Sequence, residues 1–285
     1  MNSEKIKSEI VDFLGNYETY NEFIKPLNKI KTYSKGLITF YVLSDDLDII
    51  IKKYEKEILK NLDRVHKFTN NSYYNIYLCL SPFQKKFNMN PKTPLSKINI
   101  NSAFTYLNRP EIYIFRKEEM GKVMFHEIIH HIPQIHSQFK ESNINRLKEH
   151  FNIKTFKIDP NESIVEFWAT VMFLKEISEE TQKDFYQLYL EELKYSLYKS
   201  YQIFKLQKEN NYIWFDYTHV YCYIIFKTII MYNLTEFQKI YTFPYNDDVI
   251  TDFLIKYSDL PLPIKSNPTT KRPDNSLCFM VNSDC

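Results

Sequence analysis

The sequence predicts an α+β protein in which a small sheet with its helices precedes a mainly helical lobe. Runs rich in β-branched and aromatic residues, typical of buried strands, occur in the first half of the chain. After residue 158, Tyr, Phe, Leu and Ile recur at helical spacing instead. We expect an α+β lobe over residues 1–158, a helical lobe over 159–259, and a proline-containing tail over 260–285 that is extended or poorly ordered.

The same patterns predict the order of the elements. Apolar residues at helical spacing predict helices over 4–30 and 46–66, and Asp45 or Asp46 can cap the second. Residues 84–100 are polar and contain Pro91 and Pro94, which predicts a loop. The predicted strands are GLITFYVLS (36–44), NIYLCLSPF (75–83) and EIYIF (111–115), and the predicted later helices cover 160–178, 181–206, 213–232 and 246–257.

Composition argues against several classes of function. The chain has only three glycines, too few for a glycine-rich phosphate loop, so a nucleotide-binding enzyme is not expected. A net charge of +2 predicts no nucleic-acid partner. No signal-type stretch and no transmembrane segment are visible, which predicts an intracellular protein without a membrane partner. The four cysteines lack the short paired spacings of a structural zinc site and are expected to be free thiols.

The segment MFHEIIHHIPQIH (124–136) holds four of the seven histidines. A helix beginning at Lys117–Glu119, with its acids in the first turn, would place His126 and His130 about 40° apart on one face. Two imidazoles so placed can bind one zinc ion, and Glu127 on the same side can act as general base. Because the helix is otherwise apolar, three polar groups on one side are costly unless something satisfies them. The pattern therefore predicts a Zn²⁺ site.

The third ligand is open between two positions. His136 follows His130 by six residues, as in the long motif of metzincins, but Pro133 stands where that motif has a glycine. Pro133 should end the helix near Ile132 and direct His136 elsewhere, so His136 is the alternative ligand. His131 is expected to be a partly exposed histidine at the helix end.

The favoured ligand lies downstream, in DPNESIVEFWAT (159–170). Glu162 and Glu166 are four residues apart, hence on one helical face, in an apolar context that a metal would make tolerable. Glu162 would bind the metal, and Glu166 would hydrogen-bond a ligand histidine. A simpler alternative makes Asp159 the N-cap and Glu162 its capping-box partner, although it does not account for Glu166.

HEIIH followed by NESIVE resembles the gluzincin branch of zinc metallopeptidases, whose second motif, Asn-Glu-x-x-x-(Asp/Glu), lies on a separate helix. The resemblance covers roughly residues 100–172. It implies a zincin fold with the active-site helix at the junction of the lobes, His126, His130 and Glu162 as ligands, and Glu127 as base. NSAFTYLNRPEIYIFRKEEMGKVMFHEIIHHI is also similar to zincin-like proteins of large DNA viruses, although Ala103 stands where a glycine is expected.

The expected function is that of a zinc-dependent metalloendopeptidase acting on a peptide or protein substrate. Strand Glu111–Phe115 would be the sheet edge on which the peptide lies extended. The alternative makes it simply a core strand, and the two are compatible. In the segment FDYTHVY, His219 and Tyr217 are the candidates for stabilising the oxyanion, although core packing also explains this stripe. Arg116 is expected at the surface.

Two alternatives stay open. One is a zinc-binding but non-proteolytic zincin that acts as a protein-binding or virion component, located in the host cytoplasm or the virion if the chain is viral. The other is a helical interaction protein with a coincidental motif. The sequence predicts no oligomeric state.

Overall fold

The computed structural model describes residues 3–69, 72–86, 93–155, 158–242, 244–261, 267–268 and 280. These residues form two compact units. The first comprises the described parts of Met1–Lys85 and Asn101–His131, and the second those of Lys86–Ile100 and Ile132–Asn282. The α+β class is confirmed, since helices dominate and the first unit contains a five-stranded sheet. The units divide after His131, whereas the predicted lobe boundary lies at residue 158.

The sheet is mixed, with parallel strands inside and antiparallel strands at both edges. In chain order its strands are β1 Lys29–Lys35, β2 Ile38–Ser44, β3 Tyr74–Cys79, β4 Ala103–Thr105 and β5 Glu111–Ile114. Their spatial order is β1-β2-β3-β5-β4. The prediction that Glu111–Phe115 is an edge strand is wrong, because β5 pairs with β3 on one side and with β4 on the other. The edge next to β5 is β4.

The sequence patterns do not predict β1 and β4. β1 has the polar sequence KIKTYSK and forms a two-residue hairpin with β2, with Lys35 opposite Ile38. Gly36 in the turn has φ +56°, and a Cβ there would lie 2.7 Å from the His66 ring, so both conformation and space require glycine. β4 is only three residues long, too short for an alternating pattern to stand out.

Helices account for most of the remaining structure. The predicted helix over 4–30 is interrupted at Gly15 (φ +61°), whereas the one predicted over 46–66 is confirmed, with the Asp46 side chain accepting from Asp48 N. In chain order the helices are α1 Ser3–Leu14, α2 Tyr17–Thr19, α3 Leu47–Ile49, α4 Glu55–Thr69, α5 Lys97–Ile100, α6 Met120–Ile129, α7 Glu141–His150, α8 Asn161–Thr181, α9 Phe185–Glu209, α10 Lys227–Tyr232, α11 Leu234–Ile240 and α12 Asp247–Lys256. Single π-helical turns at Tyr20–Ile24 and Ile50–Tyr54 follow α2 and α3, and one at Cys222–Phe226 precedes α10.

Helices α4 and α6 pack on one face of the sheet. The core there joins alternate strand residues, such as Ile112 and Ile114, to Val123, Met124 and Ile128 of α6. Burial of each such aliphatic side chain contributes about 1.5–3 kcal/mol to the free energy of folding. All ten residues of α6 are buried, so the position of this helix is set by packing along its whole length. On the other face, Phe13 of α1 stacks on Phe104.

A buried charged cluster precedes α6. The helix begins at Met120, later than predicted, and Glu119 stands before it with a left-handed backbone (φ 56°), so the acids do not occupy the first turn. Lys85 Nζ lies 2.8 Å from Glu119 Oε2, and Lys85 N donates to Glu118 Oε2. Arg116 is fully buried, with its guanidinium 3.8 Å from the Phe83 ring centroid, so the predicted surface position is wrong. Burial lowers the pKa of Arg116 to about 9.

The second unit is helical in its described parts. The predicted helices 160–178, 181–206 and 246–257 correspond to α8, α9 and α12, whereas the one predicted over 213–232 begins only near Val220. The patterns do not predict α7, whose sequence ESNINRLKEH is largely polar. Asp247 accepts from Lys140 N and Asn143 Nδ2, and these bonds join α7 to α12.

Three further predictions concern the chain as a whole. Among the described residues, no helix combines the length and apolarity that a membrane span requires. Cys79 and Cys222 are buried free thiols as predicted, while Cys278 and Cys285 lie outside the described residues. Most of the predicted tail also lies outside them, although Met280 is described and fully buried.

Replacing Lys85 by methionine should destabilise the protein by about 3 kcal/mol or more, because the Glu119 carboxylate stays buried after its cation is removed. Lys35→Met is the matched control. The Lys35–Asp63 ion pair is similarly short, at 2.7 Å, but it is exposed. The loss of unfolding free energy in Lys35→Met should therefore stay below about 1 kcal/mol. Urea unfolding followed by circular dichroism measures both. Equal losses would contradict the structural role given to the Lys85–Glu119 pair.

Candidate metal centre

His126 and His130 lie one turn apart on the C-terminal half of α6. Their Nε2 atoms are 3.1 Å apart and their rings are inclined by 70°. Two nitrogens bound to one tetrahedral zinc at about 2.0–2.1 Å would be about 3.3 Å apart. The observed spacing is close to that value, so the pair can bind one ion with little movement. His126 is buried and His130 is partly buried.

The helix ends at the second histidine. His130 keeps a helical backbone and its N–H donates to His126 O, but Ile132 is extended (φ −87°, ψ 104°). Pro133 then begins a 3₁₀ turn, Pro133–Ile135. The helix therefore ends three residues before the predicted Ile132. The extended backbone of Ile132 and the turn Pro133–Ile135 thus stand between the helix and His136 in the chain.

Glu127 lies between the two histidines in sequence and is buried, with 6% of its surface exposed. Burying the Glu127 carboxylate among apolar side chains would cost free energy, so this side of α6 requires polar partners for it. The position of Glu127 on α6 matches the one predicted for a general base.

Glu162 is at the start of α8. Asp159 Oδ1 accepts from Asn161 N at 3.1 Å, and Glu162 N donates to Asp159 O. The N-cap is Pro160, so the alternative that made Asp159 the N-cap and Glu162 its capping-box partner is wrong. Glu162 is the second helical residue and is partly buried. Glu166, one turn later, is almost completely buried. The two carboxylates thus belong to one side of α8, and the hydrogen bond from Glu166 to a ligand histidine stays a prediction.

Asn161 anchors this helix start within the second unit. Its side chain accepts from Ser137 N at 2.9 Å and donates to Ser137 O at 3.0 Å. The buried hydroxyl of Tyr245 lies 2.6 Å from Asn161 Oδ1 and also contacts Ile135 O. These bonds join the start of α8 to the segment after Pro133. Sequence reasoning did not single out Asn161 or Tyr245, although Asn161 belongs to the NESIVE motif and so could have been found.

His126, His130 and Glu162 are the group that could hold a metal ion among the described residues. Each offers one ligand atom, and these atoms lie within 4.8 Å of one another. His136 does not belong to this group. Two imidazoles and one carboxylate form a donor set suited to Zn²⁺, in which a fourth position stays open.

His219 belongs to the second unit and precedes the π-helical turn Cys222–Phe226. It is half-buried, and its Nδ1 is buried with no hydrogen-bond partner among the residues that the structure describes. Cys222, three positions later and so on a similar side of the helical segment, is close to Asp159 and Glu162. Burial raises the pKa of the Cys222 thiol, and the charges of these carboxylates raise it further. Tyr217, in contrast, is largely exposed and contacts the Phe215 ring edge-on.

Asp216 orients the segment that carries His219. Its carboxylate accepts from Trp214 Nε1 at 2.7 Å and from Thr218 N at 3.0 Å. Burial raises the pKa of Asp216 to about 7, although these hydrogen bonds and those from the Val220 and Tyr221 amides favour the charged form. The sequence pattern did not identify Asp216, because an aspartate before a helix is common as a cap.

Comparison of the chain with protein-family models, with curated proteins and with solved structures gives no match. The candidate site therefore stands on its own chemistry, and any activity is argued from the residues that form it.

Tyr245→Phe should destabilise the protein by about 1–3 kcal/mol, because the single hydroxyl hydrogen that Ile135 O and Asn161 Oδ1 share in a buried position is lost. Tyr232→Phe is the control, since Tyr232 is exposed and the change should stay within about 0.5 kcal/mol. Chemical denaturation of the metal-free proteins measures both. A loss at Tyr245 no larger than at Tyr232 would contradict the anchoring of α8.

Proposed function

We propose that the protein is a zinc-dependent peptidase of the zincin type, with His126, His130 and Glu162 as the zinc ligands. The observation that carries the proposal is the group of three ligand atoms within 4.8 Å, with Glu127 next to His126 on the same helix. A histidine pair alone is common in protein cores. A histidine pair, a third acidic ligand and an adjacent buried glutamate together match the needs of a hydrolytic zinc site.

His126, His130 and Glu162 would hold the zinc, which would acidify a water molecule and polarise the scissile carbonyl. Glu127 would accept a proton from the attacking water and then deliver it to the leaving amine. This dual use requires a carboxylate whose position is fixed, and packing along the whole of α6 supports that. Asn161 and Tyr245 would hold Glu162 in place through the start of α8.

The substrate would lie along β4. This strand is three residues long, pairs with β5 on one side, and has its other side at the sheet edge. A peptide can add to such an edge through main-chain hydrogen bonds, which depend little on side-chain identity. α6 packs beside β4 within the first unit. The proposed substrate strand is therefore β4 and not β5, and the mode of binding is the same.

His219 is the favoured oxyanion donor. Its neighbour Cys222 lies close to the carboxylate of Glu162, which supports a position near the reacting carbonyl. Its buried Nδ1 has no hydrogen-bond partner within the described part of the chain, which is a further indication, since an orphaned polar atom in a site calls for a ligand. Tyr217 is the second candidate, because its exposed side chain is free to reach a bound peptide.

Zinc content tests the ligand assignment. The purified wild type should retain about one zinc per chain, whereas Glu162→Ala should lose most of it, because a two-histidine site binds far more weakly. His136→Ala and the α8 control Glu180→Ala should retain zinc. Atomic absorption after dialysis against a weak chelator measures this. Zinc lost from His136→Ala but kept by Glu162→Ala would make His136 the third ligand instead.

Glu127→Gln tests the chemistry separately from metal binding. Amide replaces carboxylate at the same volume, so zinc should stay bound while cleavage of a peptide library falls by at least about 100-fold. Glu180→Gln on α8 is the control and should cleave like the wild type. If wild type and Glu127→Gln bind zinc and neither cleaves any peptide, the protein is a non-proteolytic zincin and the peptidase proposal is wrong.

A further inference from the structure

His131 is partly exposed just after the end of α6, as predicted, and its side chain also contacts the edge strand. Its Nε2 lies 2.8 Å from Thr105 Oγ1. Its ring also meets the Tyr74 ring edge-on, at 5.3 Å between centroids. His131 N donates to Ile128 O, so its backbone forms the turn that directly follows the proposed metal-binding helix. The residue after a proposed zinc ligand is thus bonded to the last residue of β4.

The direction of this hydrogen bond follows from the chemistry of threonine. Thr105 Oγ1 donates its single hydrogen to Glu111 O at 2.9 Å. The same oxygen can therefore only accept from His131, which must carry a proton on Nε2. Thr105 thus connects the first residue of β5 to the turn that follows α6 through two hydrogen bonds. β4 takes part in both bonds, β5 takes part in one, and the turn after α6 takes part in the other.

The side of β4 that carries Thr105 faces α6. Ala103 belongs to the core cluster with Ile112, Ile114 and Val123, and Thr105 is two residues later on the same face. Phe104 points to the opposite face, where it stacks on Tyr113. Among the described strands, none pairs with the outer backbone edge of β4, so a peptide could add there. The face of β4 toward α6 is held by the hydrogen bond between Thr105 and His131. Hydrophobic packing alone does not fix the register of a strand of three residues against a helix.

We infer that His131 is a positioning residue for the substrate, which through Thr105 fixes the edge strand β4 at a set distance from the metal-binding helix. This inference rests on the proposed peptidase function. A peptide added to β4 would have its scissile bond placed by the position of that strand. Loss of the His131–Thr105 bond should therefore weaken productive peptide binding without removing a ligand or the base.

The test uses Thr105→Val, which keeps the shape of the side chain and removes the hydroxyl. KM for an extended peptide should rise by about fivefold to tenfold with kcat within about twofold, the size expected for one hydrogen bond. Thr105→Ser keeps the hydroxyl and should restore the wild-type KM. Thr39→Val on β2 is the matched control. Among the described residues, the Thr39 hydroxyl hydrogen-bonds only the exposed Ser34 side chain, so this variant should not change KM.

His131→Phe completes a double-mutant cycle. It keeps a ring against Tyr74 and removes the N–H donor, so it should raise KM as Thr105→Val does. The double variant should be no worse than either single variant, because both remove the same bond. Zinc content should be unchanged in all of them. In the metal-free proteins, hydrogen exchange of a fragment covering 103–105 should quicken by about fivefold in both single variants and not in Thr39→Val.

Two failures are distinguishable. If the wild type cleaves peptides while Thr105→Val and His131→Phe share its KM and its exchange rate, the positioning role is wrong and the peptidase proposal stands. Additive effects in the double variant, or loss of zinc from His131→Phe, would also overturn it. A zinc-loaded wild type that cleaves no peptide refutes the peptidase function, and the inference with it.

Discussion

The packing of α6 against the sheet is the interaction on which the rest of the site depends. All ten residues of this helix are buried, and its apolar side chains share one core with β2, β3, β5 and α4. Because the helix cannot rotate without losing that core, His126 and His130 are held one above the other with their Nε2 atoms 3.1 Å apart. The geometry of the candidate centre is thus a consequence of hydrophobic burial rather than of the metal.

Both ends of α6 are fixed by polar contacts that apolar packing cannot supply. At the start, Lys85 meets Glu119, whose left-handed backbone costs about 1 kcal/mol or more. At the end, His131 is bonded to Thr105 on the edge strand. In the second unit, Asn161 and Tyr245 perform the same task for the start of α8. If the site binds zinc as proposed, these bonds would keep the ligands in place before the ion arrives, which would lower the free-energy cost of binding.

The sequence predicted the elements whose signal is local and apolar. The helix over 46–66, the strand in ITFYVLS and the long helices α8 and α9 all follow from periodicity, and the His-Glu-x-x-His spacing follows from helical geometry. β1 and α7 were missed because they are largely polar and are held by neighbours rather than by their own pattern. β5 was taken for an edge because strand order depends on pairing between distant segments, which periodicity cannot show. Arg116 was expected outside because a buried guanidinium needs partners from elsewhere in the chain.

The central claim is that one zinc ion is bound by His126, His130 and Glu162. The most direct measurement is a crystal structure of the zinc-loaded protein with anomalous scattering recorded at the zinc edge. The account predicts one strong peak about 2.0–2.2 Å from a nitrogen of each histidine and from a Glu162 oxygen. A peak whose third protein ligand is His136, or the absence of any peak at His126 and His130, would contradict it.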